Sequence, residues 1–358
     1  MTGRGVPMHG PEDRHDQSTS ARDVVLLATS RRGVERAQRT AGDVWTVATT
    51  LPDVRASCLA VHGGVPGLVF AGSRDRGVWR SEDRGCTWRP VGLAEQDVTS
   101  LAVSRADPRT VYAGCKPAAV FASRDGGDTW RERTSFRSVR RWYWASPAEP
   151  PDVRAYVMGL ASSPTDPDVV VAGIEAGAVV RSADGGRSWS SHRRSADRDC
   201  HALTFHASDG RWVYEAGGGG PAVSRDAGEH WAHMVRGMAG RYAMAVAADP
   251  LRPEIWYVTA APIWSPRAPL RMPVGHTEGG AMATAYRASG GAGWEPLRGG
   301  LPTPLDHPPY GLATDPTAPG HVYLGLSHGE VWCSRDHGDA WQRLPCRFTG
   351  VRRSLAVA

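Results

Sequence analysis

Four histidines, His201, His276, His307 and His328, lie in the second half of a 358-residue chain that also places Glu215, Glu278 and Asp306 there. Imidazoles and carboxylates together could hold a divalent transition metal, or act as general acids and bases. Tyr242 and Tyr310 add two phenols. Arg241, Arg352 and Arg353, with Arg31, Arg74 and Lys116, offer the planar, always-charged donors that suit a carboxylate or phosphate. Arg140-Arg141-Trp142-Tyr143-Trp144 sets three aromatic rings beside two guanidinium groups. These residues are far apart in sequence, so any joint chemistry depends on the elements that carry them.

Those elements repeat. Ser81-x-Asp83-x-Gly85-x-x-Trp88 returns at Ser123/Asp125/Gly127/Trp130, Ser182/Asp184/Gly186/Trp189, Ser224/Asp226/Gly228/Trp231 and Ser334/Asp336/Gly338/Trp341. Two degenerate copies keep the glycine and tryptophan, Gly42 with Trp45 and Gly291 with Trp294. The spacing fits a hairpin turn: Ser and Asp can accept from turn amides, Gly supplies positive φ, and Trp buries its ring between sheets. Between the tryptophans run short β-branched or alternating segments bounded by Asp-Pro or Gly turns, such as 98–104, 110–114, 119–123 and 129–134. Seven such units of four strands predict an all-β, single seven-bladed β-propeller. The chain opens at 24–30 with what matches a second strand and ends at 351–358 with what matches a first. The C-terminal strand is therefore expected to complete blade 1 and close the ring. The domain reading is a disordered tail over 1–22 and a propeller over 23–358.

The motif resembles the Asp-box, or BNR, repeat of sialidases, xyloglucan-degrading glycosidases, sortilin-type receptors and photosystem assembly factors, and the resemblance covers nearly all of the chain after residue 22. It implies fold more than function, because the motif is structural in those families. The sialidases' Arg-Ile-Pro is missing, and so is the second propeller with which xyloglucan-degrading enzymes flank their catalytic aspartates. The assembly factors are similar in size and blade number.

In a propeller, loops joining the outer strand to the next inner strand share one face, here the top, with loops joining strands two and three. Ligands gather there at the channel mouth. Both long insertions, 135–153 and 261–280, map to that face and read as lids. Aligning the repeats on Thr99 puts Ser57, Met158, His201, Tyr242, Tyr310 and Arg353 at equivalent positions. Where other blades end their second strand in Gly72, Gly114, Gly173 or Gly325, blade 5 is read as carrying Glu215. The expected catalytic set is thus Glu215, His201, Tyr242 and Tyr310. The expected ligand-binding set is Arg241, Arg352, Arg353, Trp142, Trp144 and Glu175. A divalent transition metal would fall to His201, His276, His307 and His328.

Composition narrows the partners. The net charge of +5 comes from arginine, since Lys116 is the only lysine, and it forms no stripe or tail of the kind nucleic-acid binders use. Six cysteines show no CxxC spacing, which fits reduced thiols, and no apolar run reaches the length that spans a membrane. The reading is a cytoplasmic protein without nucleic-acid or membrane partners. It binds a small polar or anionic ligand in a lidded pocket that could support catalysis. The alternatives are a scaffold that docks an acidic protein or peptide, and a glycoside hydrolase-like enzyme.

Overall fold

The computed structural model describes residues 24–40, 44–141, 143–146, 151–264, 273–291 and 293–358. Residues 1–22, Gly42 and Trp142 lie outside that set. The described residues form seven antiparallel sheets arranged as the blades of a propeller. Blade 1 takes its inner strand from the C-terminus: Leu355–Val357 pairs with Val25–Ser30 in the register Leu26↔Val357, Leu27↔Ala356 and Ala28↔Leu355. The expected closure is therefore observed. Blades 2 to 7 begin with inner strands Ala56–Val61, Asp97–Val103, Val157–Ser162, Cys200–Phe205, Tyr242–Ala248 and Gly311–Thr314.

The repeated turns owe their shape to local hydrogen bonds. At Ser123–Trp130 the serine Oγ accepts from the Gly127 N–H at 2.8 Å and donates to Asp125 Oδ1 at 2.7 Å. The carboxylate then takes the amide (2.8 Å) and hydroxyl (2.6 Å) of Thr129, and these bonds hold its pKa down at about 2. The same pattern recurs at Ser81, Ser182, Ser224 and Ser334. Each Asp is occupied in shaping its turn. The tryptophans then tie blades together: Trp130 and Trp294 donate their indole N–H groups to the carbonyls of Val91 and Met234, in the preceding blades.

Blade 4 departs at its outer edge, where the sheet has three strands. Here Ser190 Oγ accepts the Arg181 amide at 2.9 Å and His192 Nδ1 accepts that of Val179 at 3.1 Å. Two side chains take donors that a fourth strand would pair, and the segment still follows the blade through Ser190 N–H to Arg181 O.

Five inner strands carry a β-bulge near the top of the channel, at Ser57, Thr99, Met158, His201 and Met244. The bulges aim side chains at the next blade. Ser57 Oγ donates to Val98 O and Thr99 Oγ1 to Val157 O, while Thr259 Oγ1 reaches Pro309 O. Glycines beside the bulges let neighbouring strands approach. A Cβ on Gly114 would sit 2.4 Å from Ser100 Oγ and 2.6 Å from Val157 Cβ. Gly114→Ala is therefore expected to cost roughly 1–3 kcal/mol by overpacking. Gly280→Ala, whose nearest neighbour would be 3.4 Å away, should be near neutral by comparison. Urea unfolding of the two variants checks this.

Candidate functional site

The strand register fixes which side chains can meet at the channel top. Pairing Leu203↔Glu215 and Ala202↔Ala216 makes Ala216, not Glu215, the counterpart of Gly114. Glu215 instead occupies the buried position of Ala71, Ala113 and Ala172 in other blades. It is 0% exposed, and Oε2 accepts the Asp197 amide at 3.0 Å. Burial pushes its pKa well up, with the Asp197 and Asp199 charges adding to the effect. The expectation of a carboxylate replacing Gly beside the channel is corrected: Glu215 is a buried acid pinning the loop before His201. In blade 6 the bulge falls on Met244, so Tyr242 stands two residues before the position expected for it.

Despite that shift, Tyr242 joins the site. His201, 9% exposed, lies with its ring 4.7 Å from that of Tyr242, centroid to centroid. Its Nδ1–H donates to Ala243 O at 2.6 Å, and Nε2 faces Asp199 Oδ2 at 3.4 Å. Burial opposes charge on this imidazole, but the Asp199 carboxylate, the Ala243 carbonyl and Glu175 outweigh it and raise the pKa. Asp199 is shifted down in turn: desolvation works against its charge and is overcome by the His201 contact. Asp199 escaped the sequence reading. Its signal was the Asp-x-His spacing, which in an extended segment puts both side chains on one face.

A second imidazole bridges two phenols. His276, on the 3-10 turn Val274–His276 of the second insertion, has Nε2 3.0 Å from Tyr242 Oη and Nδ1 2.8 Å from Tyr310 Oη. Burial, then the nearby cations His201 and Arg353, lower its pKa to about 4, so the ring is neutral at pH 7. A neutral imidazole donates through one nitrogen and accepts through the other, so one tyrosine donates to it and the other accepts from it. Burial raises both phenols, Tyr310 to about 12.

Blades 4 and 1 complete the mouth. Arg353 reaches across the channel, placing Nη2 3.2 Å from Tyr156 Oη and Nη1 3.0 Å from Met158 Sδ. Glu175, 7% exposed, is raised by burial; His201, Arg353 and the Ser146 hydroxyl act the other way. Two carboxyl groups in one site are thus pushed apart, Glu175 toward the acid form and Asp199 toward the carboxylate. That pairing can give and take a proton. Farther down, Leu59, Leu101, Leu160, Leu203, Val246, Leu312 and Leu355, one from each blade, line a cavity of about 340 Å³ that opens away from this mouth.

The other expected residues fall elsewhere. The rings of His307 and His328 meet at a tilt with centroids 3.9 Å apart, with Glu278 on His307 Nδ1 at 2.7 Å and Glu330 3.5 Å from His328 Nε2. His201 and His276 thus each contact Tyr242, whereas His307 and His328 contact each other. His201 Nδ1 and both nitrogens of His276 are already engaged, and no three His, Cys, Asp or Glu among the described residues are grouped to hold a metal ion. This donor set does not fit a metal. Arg241 and Arg352 are exposed at the rim. Trp144 is buried against Phe136, with ring centroids 6.4 Å apart, and lines a cleft over blade 3 rather than the channel. No described helix is long and apolar enough to cross a membrane.

Neither a protein-family model nor a curated protein matches the sequence. Solved structures do match the fold. An ancestral GH74 enzyme aligns with TM-score 0.61 and 17% identity over 81% of this chain and 38% of its own. YCF48 from Cyanidioschyzon merolae aligns with TM-score 0.56 and 13% identity over 83% of this chain and 88% of its own. A structure of YCF48 bound to D1 peptide gives TM-score 0.51 and 14% identity, over 81% and 82%. The chain spans less than half the length of the GH74 structures, 38–45% of each. The likeness is one of fold: a seven-bladed β-propeller with structural neighbours among glycoside hydrolases and assembly factors.

Proposed function

We propose that the channel mouth formed by Glu175, Asp199, His201, Tyr242, His276, Tyr310 and Arg353 binds a small polar or anionic ligand, with Glu175 and Asp199 as its acid–base pair. One observation carries this. Glu175 Oε2 is a buried carboxyl oxygen with no hydrogen-bond partner among the described residues, and His201 Nε2 has only the Asp199 carboxylate, 3.4 Å away. Ser57 and Thr99, at equivalent bulges, are fully bonded. A buried polar atom left unpaired costs about 1–3 kcal/mol, which a bound hydroxyl or carboxylate would offset. Arg353 and His201 supply positive charge for an anionic group. The Tyr242–His276–Tyr310 chain supplies neutral donors and acceptors and a path for a proton. No step in this reading passes through a metal. The Ser-x-Asp turns have the chemistry expected of Asp-box repeats and serve as scaffold. Glycoside hydrolysis would use such a split carboxyl pair, and the GH74 likeness lends it fold-level support.

The test is ligand-observed NMR of sugars, hydroxy acids and amino acids against the protein and its Glu175→Gln and Tyr310→Phe variants. Hits should weaken at least about tenfold in both variants, the scale of one lost hydrogen bond to a charged group. Hits indifferent to both substitutions would exclude this site.

The scaffold reading rests on a different observation. Burial, then Arg31, Tyr310 and Arg55, affect the exposed Arg352, and the like charges help to lower its pKa. Trp264, 62% exposed, adds an aromatic surface to the same face. An acidic peptide would relieve the repulsion, and a YCF48 structure holds a peptide. Binding of an oligoglutamate peptide that weakens steeply between low and physiological salt would support this.

A further inference from the structure

The described residues of the segment after blade 3 lie against blade 3 and not over the channel. The segment runs through the short helix Phe136–Val139 and returns past Trp144, leaving a cleft of about 570 Å³ against the upper edge of blade 3. Pro117, Ala118, Ala119 and Phe121 give this cleft an apolar wall. Its polar groups are unbalanced. Glu132, the acid in the lining, is engaged by Arg137 through two bonds of 2.8 Å. Arg140 and Arg141 form no ion pair among the described residues, and Gln96 adds an amide. At the back, Trp144 is 5% exposed and its indole N–H is buried without an acceptor.

We infer that this cleft is a second binding site, separate from the channel mouth, for a small organic anion with a flat apolar body. The sign follows from the lining: two guanidinium groups with no ion pair among the described residues face a space whose carboxylate, Glu132, is already neutralised by Arg137. Guanidinium groups bind carboxylate and phosphate oxygens by paired, charge-assisted hydrogen bonds. The shape follows from Phe121 and Pro117, which offer a face to stack on. The volume lies within the range of small-molecule pockets. Trp144 closes the cleft and holds the helix through Phe136, which in turn packs edge-on against Trp189 at 5.2 Å. The site is thus built on the core of blades 3 and 4.

The probes are phenyl phosphate and benzoate, titrated calorimetrically into the full chain, with benzyl alcohol as the uncharged control. Saturable binding of at least one anion is expected, with none of the alcohol; which anion binds separates a phosphate from a carboxylate ligand. Exchanging both arginines (Arg140→Gln with Arg141→Gln) should weaken the anion about tenfold or more, through lost charge-assisted bonds. Glu175→Gln should leave it unchanged, so failure here and failure of the channel reading are distinguishable. Absence of anion binding, equal binding by the double arginine variant, or binding of an oligoglutamate peptide alone would overturn the inference.

Discussion

Removing residues 351–358 is expected to abolish the cooperative thermal transition of this protein. Val351 (0% exposed) and Leu355 (6%) belong to a cluster with Leu26, Ala28, Tyr323 and Phe348 that bridges blades 7 and 1, and Val357 packs against it. Burying a side chain of this size stabilises by about 1.5–3 kcal/mol, so three of them account for on the order of 6 kcal/mol, a large part of the 5–15 kcal/mol typical of a folded domain. The loss does not stop at these side chains. Without the strand, Val25–Ser30 becomes an open edge. The bond from the Leu59 N–H to Ser354 Oγ, which ties blade 2 to blade 1, disappears, as do the bonds from the Thr29 and Ala358 amides. Both seams of blade 1 open together. Leu355→Ala separates the two contributions, because it keeps the strand and should cost about 2–5 kcal/mol. Melting by circular dichroism reads both. A truncated chain that melts cooperatively within a few degrees of the full one would mean the ring does not depend on its closing strand.

That closure was readable in the sequence because residues 351–358 match other inner strands and no partner for them remains except 24–30. The turns were readable for a similar reason: Ser, Asp, Gly and Trp act on one another within eight residues, so their spacing carries the geometry. The site was harder. A β-bulge adds one residue to one strand, and a one-residue change of register turns a side chain to the other face. Counting along blade 5 without the bulge at His201 put Glu215 where Ala216 stands. In blade 6 the error was different: a slip of two residues keeps the strand's alternation, so Tyr242 was aligned where Met244 stands. His201, Tyr310 and Arg353 do stand at the positions equivalent to Thr99, two residues before Leu203, Leu312 and Leu355 of their inner strands. Strand parity assigns both insertions to one face but says nothing about which way a loop leans. Trp144 leans outward because Phe136 and the blade 3–4 core give its ring somewhere dry to go.

The same site makes stability depend on acid in a definite direction. His276 has a folded-state pKa of about 4, whereas an unfolded histidine titrates near about 6.5. Above pH ~6.5 both states hold the neutral ring and the residue contributes no pH dependence. As pH falls from there toward about 4, the unfolded chain takes up a proton that the folded protein refuses, and stability drops by up to about 1.4 kcal/mol per pH unit. Over the whole window the loss is on the order of 3 kcal/mol; below it both states are protonated and the slope ends. His201 runs the other way. Its folded pKa is raised, so its contribution is complete below ~6.5 and fades as pH rises through the folded value. His276→Gln keeps an amide donor and acceptor between Tyr242 and Tyr310 and removes the titration. Urea unfolding at intervals between pH 7 and about pH 3 should therefore show the variant losing less stability than the parent, with the two curves converging in slope below about pH 4. Carboxylates elsewhere titrate alike in both proteins and cancel in the difference. Parallel curves across the whole window would show that His276 is not held neutral between the two tyrosines, and the hydrogen-bonded chain proposed for the channel mouth would lose its centre.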